Sequence, residues 1–395
     1  MPNTRTSSTG AVIAVAISAI LLGSNHAAKA ADRAALLQEF PPEVRPLITP
    51  SASDALVAAL LEVRKSGPKT LVFNNSGGER ADGQRSAFVS DWEKITGWRV
   101  KDSGPAVDPA RLKVLVGSGH PDIDLVELGS LGDGISNEKS NFYALLDRAL
   151  FDPVFASFPK EGGYQHSDYW VQNGWYSITL LWDTRKWPES GPHPTTPNDL
   201  FDTARFPGKR CLFKYPEYAG TLEYPLLADG VSPDKLYPLD VERALKKLDT
   251  IRDDIVWFST GAESVQNIVN GNCALGVTWH GRAAARLKED PSLPLGVSWE
   301  KTLLIDDGWA IPKGAPNAEA ANTLLAFAFT PENEGKLLNL LGYGIPIDPA
   351  FINADGRKWG VTLENLKLSA AKQDPAYYAD NASKIVTRFN EWLAE

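Results

Sequence analysis

Catalytic vocabulary is sparse in this sequence. Its five histidines, His26, His120, His166, His193 and His280, stand singly, without the spacing that places two imidazoles on one metal. His166 beside Asp168 is the nearest approach to a base with an orienting acid. No G-x-S-x-G elbow raises a serine, and no H-E-x-x-H pair holds zinc. The glycine pair in Asn74-Asn75-Ser76-Gly77-Gly78-Glu79 lacks the Lys-Ser/Thr that completes a phosphate loop and the spacing of a dinucleotide fingerprint. It can still offer backbone amides at a helix entrance, or merely turn the chain. A triad can assemble from distant residues, but these absences point away from an enzyme and imply no metal and no cofactor.

Long apolar runs are missing too. The longest uncharged one, Ala11 to Leu22, follows Arg5 and precedes Ala28-Lys29-Ala30. About 12 residues fall short of the roughly 20 that span a bilayer. A basic start, a short apolar core and an A-x-A site are the layout of a secretory signal peptide, residues 1–30, cleaved after Ala30. No cysteine follows to carry a lipid, so the expected product is soluble in a bacterial periplasm. Basic charge is also in deficit. Without Arg5 and Lys29, 38 Lys and Arg face 49 Asp and Glu, a net charge near -11. Such a surface disfavours nucleic acid as a partner and attracts cationic small molecules if the charge converges on a cleft. The two cysteines, Cys211 and Cys273, lie in strand-like runs. In an oxidising compartment a bridge between them is the expectation, with two buried thiols as the alternative.

What the chain does contain is an α/β pattern. With 43% hydrophobic residues it can build two sizeable cores. After a preamble, 31–69, whose "DALVAALLEV" has helical periodicity with Ser51 or Ser53 as cap, strands and helices alternate. Expected strands are Thr70–Phe73, Trp98–Asp102 and Ile123–Leu128, with helices Gly83–Thr96 and Asp108–Gly117 between them. Strands spaced by helices with short loops predict a parallel sheet wrapped by helices. A β-rich aromatic stretch, "YWVQNGWYSITLLWDTRKW", precedes a second alternating set through "GKRCLFKYP" and "CALGVTWHG". The expected architecture is two α/β lobes joined by crossover strands near Trp175 and Asp307. Lobe 1 would comprise 70–175 with 308–345, and lobe 2 would comprise 176–307 with 346–395. A ligand would bind in the cleft between them. Twelve tryptophans suit lobe packing or a box for a cation; Trp279, at a strand end beside His280 and Gly281, is best placed to enter a crevice.

The fragments "SGGERADGQRSAFVSDWEKITG", "NDLFDTARFPGKRCLF", "LYPLDVERALKKLDTI", "VQNIVNGNCALGVTWHGRAA", "GWAIPKGAPNAEAANTLLAFAFTPE" and "GYGIPIDP", in this order, give a resemblance that runs from about Thr70 to the C-terminus. The chain resembles the substrate-binding proteins of bacterial ABC importers, the two-lobed type II kind, and within them the spermidine/putrescine-binding group. That resemblance implies a monomer that closes on a small polar solute, a polyamine or related amine, and docks on a membrane permease. It places Trp279, Glu217, Asp307 and Tyr343 at the ligand, and Asn75, Ser76, Gly77 and Glu127 complete the expected ligand-binding set. It also exposes departures. Ser76 stands where relatives carry an aromatic residue, "ELGSLGDG" offers none after the third strand, and Ile305 replaces a tryptophan. Half of the aromatic box is missing, so a solute shorter or more polar than spermidine is implied. The alternatives are an anionic solute held by amides at Ser76-Gly77-Gly78 and Thr260-Gly261-Ala262 with Arg282 as counter-charge, and an exported hydrolase.

Overall fold

The computed structural model describes residues 33–104, 109–160 and 163–395; the expected leader lies outside the described residues. Nine strands form one mixed sheet: β1 (Thr70–Asn74), β2 (Arg99–Asp102), β3 (Leu125–Leu128), β4 (Trp170–Asp183), β5 (Arg210–Phe213), β6 (Ile255–Phe258), β7 (Leu275–Trp279), β8 (Leu295–Ala310) and β9 (Ala371–Lys372). Their order is β2-β1-β3-β8-β4-β7-β5-β6, with β9 on β8. β1 pairs in parallel with β2 and β3, and β5 with β6 and β7. Those two parallel groups build the two lobes, as the alternating pattern predicts.

Between the lobes run β4 and β8, antiparallel strands of 14 and 16 residues. At about 3.3 Å per residue each reaches roughly 45–50 Å, enough to serve both lobes. All 14 residues of β4 are buried, which explains its nearly unbroken apolar and aromatic sequence. The register of β4 against β8 shifts between Gln172 and Gly174 and again between Ile178 and Leu180. The first shift makes Asn173 a bulge residue at the crossing, where an extra residue re-aims side chains. A third segment joins there, with the Trp175 N–H donating to the Gly344 carbonyl at 2.8 Å.

The preamble packs on lobe 1. Ser53 caps the helix Asp54–Lys65 through the Leu56 amide, and Leu56, Val57, Leu60 and Leu61 bury its inner face. The Trp98 indole donates to the Val63 carbonyl at 3.0 Å, and Arg64 donates to the Ile95 carbonyl at 2.6 Å. Helix 78–96 begins five residues earlier than the sequence suggests, because Gly77, at φ 66°, supplies an entry turn that other residues rarely adopt. It contains a π turn, Arg85–Val89, and ends at left-handed Gly97. Gly83 lies where a Cβ would meet the Leu341 side chain at 2.5 Å, so this helix and helix Pro331–Leu341 pack closely. In lobe 2, Cys211 on β5 is disulfide-bonded to Cys273, just before β7, with a Cα–Cα distance of 5.7 Å. The last helix, Pro375–Ala394, starts at the cap Asp374, six residues ahead of the periodic run "NASKIVTRFNEWLAE". Its first half meets helix Leu131–Lys139 through Lys139–Asp380; its second half meets helix Val241–Asp249 through Arg388–Glu242.

Candidate solute site

The loops that follow β1, β3, β5, β6 and β7 all open on the space between the lobes, the usual ligand position beyond the carboxyl ends of parallel strands. On the lobe 1 side, Glu127 at the end of β3 is 1% exposed and carries five donors. Its Oε2 accepts from the Ser76 N–H at 2.8 Å and the Ser76 hydroxyl at 2.6 Å. Its Oε1 accepts from Arg80 Nε at 2.9 Å, Gln84 Nε2 at 3.1 Å and Asn173 Nδ2 at 3.3 Å. Arg80 and Gln84 stand one helical turn apart, so one helix face delivers both. Burial resists the charge on Glu127, but Arg80 and Ser76 outweigh it and hold the carboxyl below its usual range. Glu127 is therefore a fastener for the Ser76 turn, with no acceptor left to offer a solute. Ser76, where an aromatic wall stands in relatives, spends its hydroxyl on that fastening. Asn75 is likewise structural: its Nδ2 donates to Asp102 at 2.9 Å and its Oδ1 accepts the Gly77 amide at 3.2 Å.

Arg80 is the residue that sequence reading missed. It is 8% exposed, bonds Glu127 through Nε, and places Nη2 3.3 Å from Asp307 Oδ2. Its guanidinium also lies 5.0 Å from the centre of the Tyr343 ring. Burial disfavours this cation, yet Glu127 and Asp307 more than compensate and keep it charged. Asp307 belongs to the crossover part of β8 and keeps 14% of its side chain exposed. Burial pushes its carboxyl up to about 8, Arg80 opposing and Glu127 adding to the rise. Neighbouring Asp306 faces the other side of the sheet, as strand alternation requires. There it accepts from Gln165 Nε2 at 3.2 Å, while Lys372 sits 3.6 Å over the Trp175 ring.

The 280–289 helix brings lobe 2 to the same place. His280 is fully buried; its Nδ1 accepts the Ser177 N–H at 2.9 Å, which leaves Nε2 to donate to the Gly342 carbonyl at 2.9 Å. Burial drops its pKa to about 4, so it is a neutral tie. Tyr343 packs edge-on to it at 4.9 Å, 8% exposed. Gly281 permits this approach, since a Cβ there would come 2.5 Å from the Tyr343 ring. Arg282 crosses to lobe 1, Nη1 3.1 Å from Glu79 Oε2, and lies against Gly261 at the start of helix Gly261–Val269. A second crossing contact joins the Tyr218 hydroxyl to Asp133 at 3.3 Å. The lobes are thus in contact across the cleft.

Of the other expected residues, Trp279 is half-buried and presents its edge to Phe213 at 5.0 Å, near exposed Tyr215. Glu217 has Oε2 buried without a hydrogen-bond partner, and burial raises its pKa to about 7. The structure brings Ser76, Gly77, Glu127, Asp307 and Tyr343 together around Arg80. Glu217 adjoins Asp133 and Tyr218 on the second interlobe contact. The signal for Arg80 was available: a basic residue four positions before a glutamine, on a helix entering the cleft behind a glycine pair.

Comparison with known proteins places this arrangement. Residues 109–359 match the family model described as bacterial extracellular solute-binding protein, and the chain belongs to that family. It is a solute-binding component of an ABC transporter. It is 28% identical to the gamma-aminobutyric acid-binding protein of Pseudomonas aeruginosa over 82% of this chain and 91% of that one. A solved structure, the Atu4243 GABA receptor, is 30% identical with a TM-score of 0.72, covering 82% of this chain and 98% of its own. The spermidine/putrescine-binding periplasmic protein of Escherichia coli is 26% identical over 44% of this chain and half of its own length. Among the described residues, no helix is long and apolar enough to cross a membrane.

Proposed function

We propose that the protein is a periplasmic receptor for a small solute carrying one amine and one carboxylate, of the γ-amino acid class. Its first thirty residues export it, and as a monomer without catalytic activity it delivers the solute to a membrane permease. The observation that carries this reading is the mixed sign of the cleft: Asp307, partly exposed and bonded to Arg80, with Arg282 paired to Glu79 where the lobes meet. Asp307 would take the ammonium. Arg282, with the first amides of the Gly261–Val269 helix, would take the carboxylate by exchanging it for Glu79. A polyamine suits the site poorly, because two guanidinium groups would repel it and Arg80 already occupies the Tyr343 ring. An anion without an amine would leave the exposed part of Asp307 without a donor from the solute. The names of the relatives that span most of the chain favour the same class.

The mechanism is closure about the β4/β8 crossing. A solute that touches Asp307, Tyr343 and Arg282 at once contacts both lobes and the crossover, so it favours the closed form that a permease reads. The test is thermal unfolding of leader-free protein with γ-aminobutyrate, putrescine and spermidine. A solute at 100 times its Kd adds about 2.7 kcal/mol. Stabilisation by γ-aminobutyrate and not by spermidine is expected; the reverse order overturns the proposal.

A further inference from the structure

Behind Arg80 the structure holds a second polar group that neither the fastening of Ser76 nor the cleft rim uses. Glu334, on helix Pro331–Leu341, is 1% exposed. Burial pushes its carboxyl up to about 8, the Ile345 amide opposing, and neither carboxylate oxygen accepts a well-formed hydrogen bond. Gly344 lies over it, where a Cβ would sit 3.3 Å from Oε2. Gln84 and Asn173, both fully buried, turn their amide nitrogens to Glu127 and leave Gln84 Oε1 and Asn173 Oδ1 without partners. The buried Tyr164 hydroxyl, within electrostatic reach of Glu334, also lacks one.

The protonation states have the same sense. Glu127 is held ionised against Arg80, while burial pushes the Asp307 and Glu334 carboxyls up to about 8. Buried carboxylates ionise when paired and hydrogen-bonded. Among the described residues Glu334 has no ion-pair partner, and only the Ile345 amide and the more distant charge of Arg80 favour its ionisation. The unmatched atoms are four acceptor oxygens, two on Glu334 and one each on Gln84 and Asn173. Surplus acceptors, two of them on an acid that can ionise near neutral pH, are the complement of an alkylammonium, which brings one positive charge and three donors. An anion or an apolar group would leave every one of them unmatched. Asp307, bonded to Arg80 and still 14% exposed, connects this group to the cleft.

We propose that this buried cluster of unpartnered acceptors receives the amine of the solute, and that Glu334 shares the ammonium with Asp307. The assignment rests on the amine-bearing solute proposed above and adds a ligand residue outside the expected set. Entry of an ammonium favours the ionised form of both carboxylates, so binding releases protons near neutral pH.

Isothermal titration of leader-free protein with γ-aminobutyrate, in two buffers of different ionisation enthalpy, reads affinity and proton release together. Glu334→Gln is expected to raise Kd at least tenfold and to lower the number of protons released. Glu319→Gln, an exposed glutamate on a neighbouring helix, keeps both values. Glu334→Asp, which keeps the carboxyl and withdraws it by one methylene, is expected to raise Kd several-fold, and it decides the matter if Glu334→Gln does not fold. Wild-type affinity and proton count in the substituted protein would overturn the assignment while leaving the solute class standing. Stabilisation by sodium chloride that depends on Glu334, with no effect of the substitution on amine binding, would overturn it too. Failure of the wild type to bind any amine removes the solute class itself, a separate outcome.

Discussion

Replacing Arg80 by methionine tests the central claim that Glu127 is held by charge as well as by hydrogen bonds. Methionine keeps the stem of the side chain and deletes the guanidinium. Glu127 then retains the two Ser76 donors, Gln84 and Asn173, but loses its counter-ion while 1% exposed. Breaking a buried pair from one side costs about 3–5 kcal/mol. Asp307 adds less, because burial has already moved its carboxyl up to about 8 and it is largely protonated at pH 7. The remaining acid should therefore take up a proton. With Arg80 present, the Glu127 pKa lies below its unfolded value, so it contributes stability at neutral pH that is lost as pH falls. Without Arg80 it rises above that value and the sign reverses: stability is greatest in acid and falls as pH rises through the new pKa. Guanidinium unfolding at pH 5 and pH 8 measures both numbers. The expected loss at pH 8 is about 4 kcal/mol, shrinking at pH 5, and Arg80→Met with Glu127→Gln should recover much of it. A loss under about 1 kcal/mol at pH 8, or no recovery in the double substitution, would refute the reasoning.

Three further outcomes follow from the geometry. Exchanging Cys211 and Cys273 for alanine opens a bridge between positions 62 residues apart, which should cost about 4 kcal/mol on the chain-entropy account; denaturation with and without reductant measures it. His280, lowered to about 4 from 6.5, stabilises the fold above pH 6.5 and loses that contribution as pH falls towards 4, worth about 3 kcal/mol at 1.36 per pH unit. His280→Gln should flatten this acid limb in a stability–pH curve. Gly281→Ala drives a methyl group into the Tyr343 ring and should destabilise by about 1–3 kcal/mol while weakening solute binding, read by thermal unfolding and titration.

Much of the fold was legible because its signals are local. Alternating strands and helices, the Ser53 cap and the glycine ends of helices all act within a few residues, and the β-rich aromatic stretch marked the crossover strands. Two expected helices start earlier than their apolar period suggests, at Gly78 and at Pro375. The second had a legible signal, since Asp374-Pro375 is a cap followed by a proline in the first turn; the polar, aromatic first turns hid it behind the apolar period downstream. Sequence reading named Ser76, Glu127, Asp307 and Tyr343, which the fold brings near one another, but not the contacts that tie them. Glu127 serves the protein because Arg80, 47 residues earlier, reaches it. Such a pairing depends on how two elements meet and leaves no periodicity. Glu334 was hidden for another reason: an acidic residue in the first turn after Pro331 reads as helix-dipole compensation.

In the proposed mechanism the position of Asp307 joins recognition to movement. Had the acid proposed to bind the amine belonged to one lobe, the solute could bind there without requiring the other. Asp307 instead lies on β8 beside the Asn173 bulge, opposite Gly174, where a Cβ would strike the Gly344 carbonyl at 2.7 Å. Three chain segments therefore meet within one residue of the acid, and a glycine is needed to let them. Rotation of the lobes must pass through that crossing and change how Arg80, from lobe 1, and Tyr343, tied to lobe 2 through His280, approach Asp307. A ligand can shift the open and closed populations only by its difference in affinity between them. An acid at the crossing, with partners drawn from both sides, makes that difference a consequence of the proposed binding. The rim pair itself, 24% and 47% exposed, contributes too little to hold the lobes closed without solute.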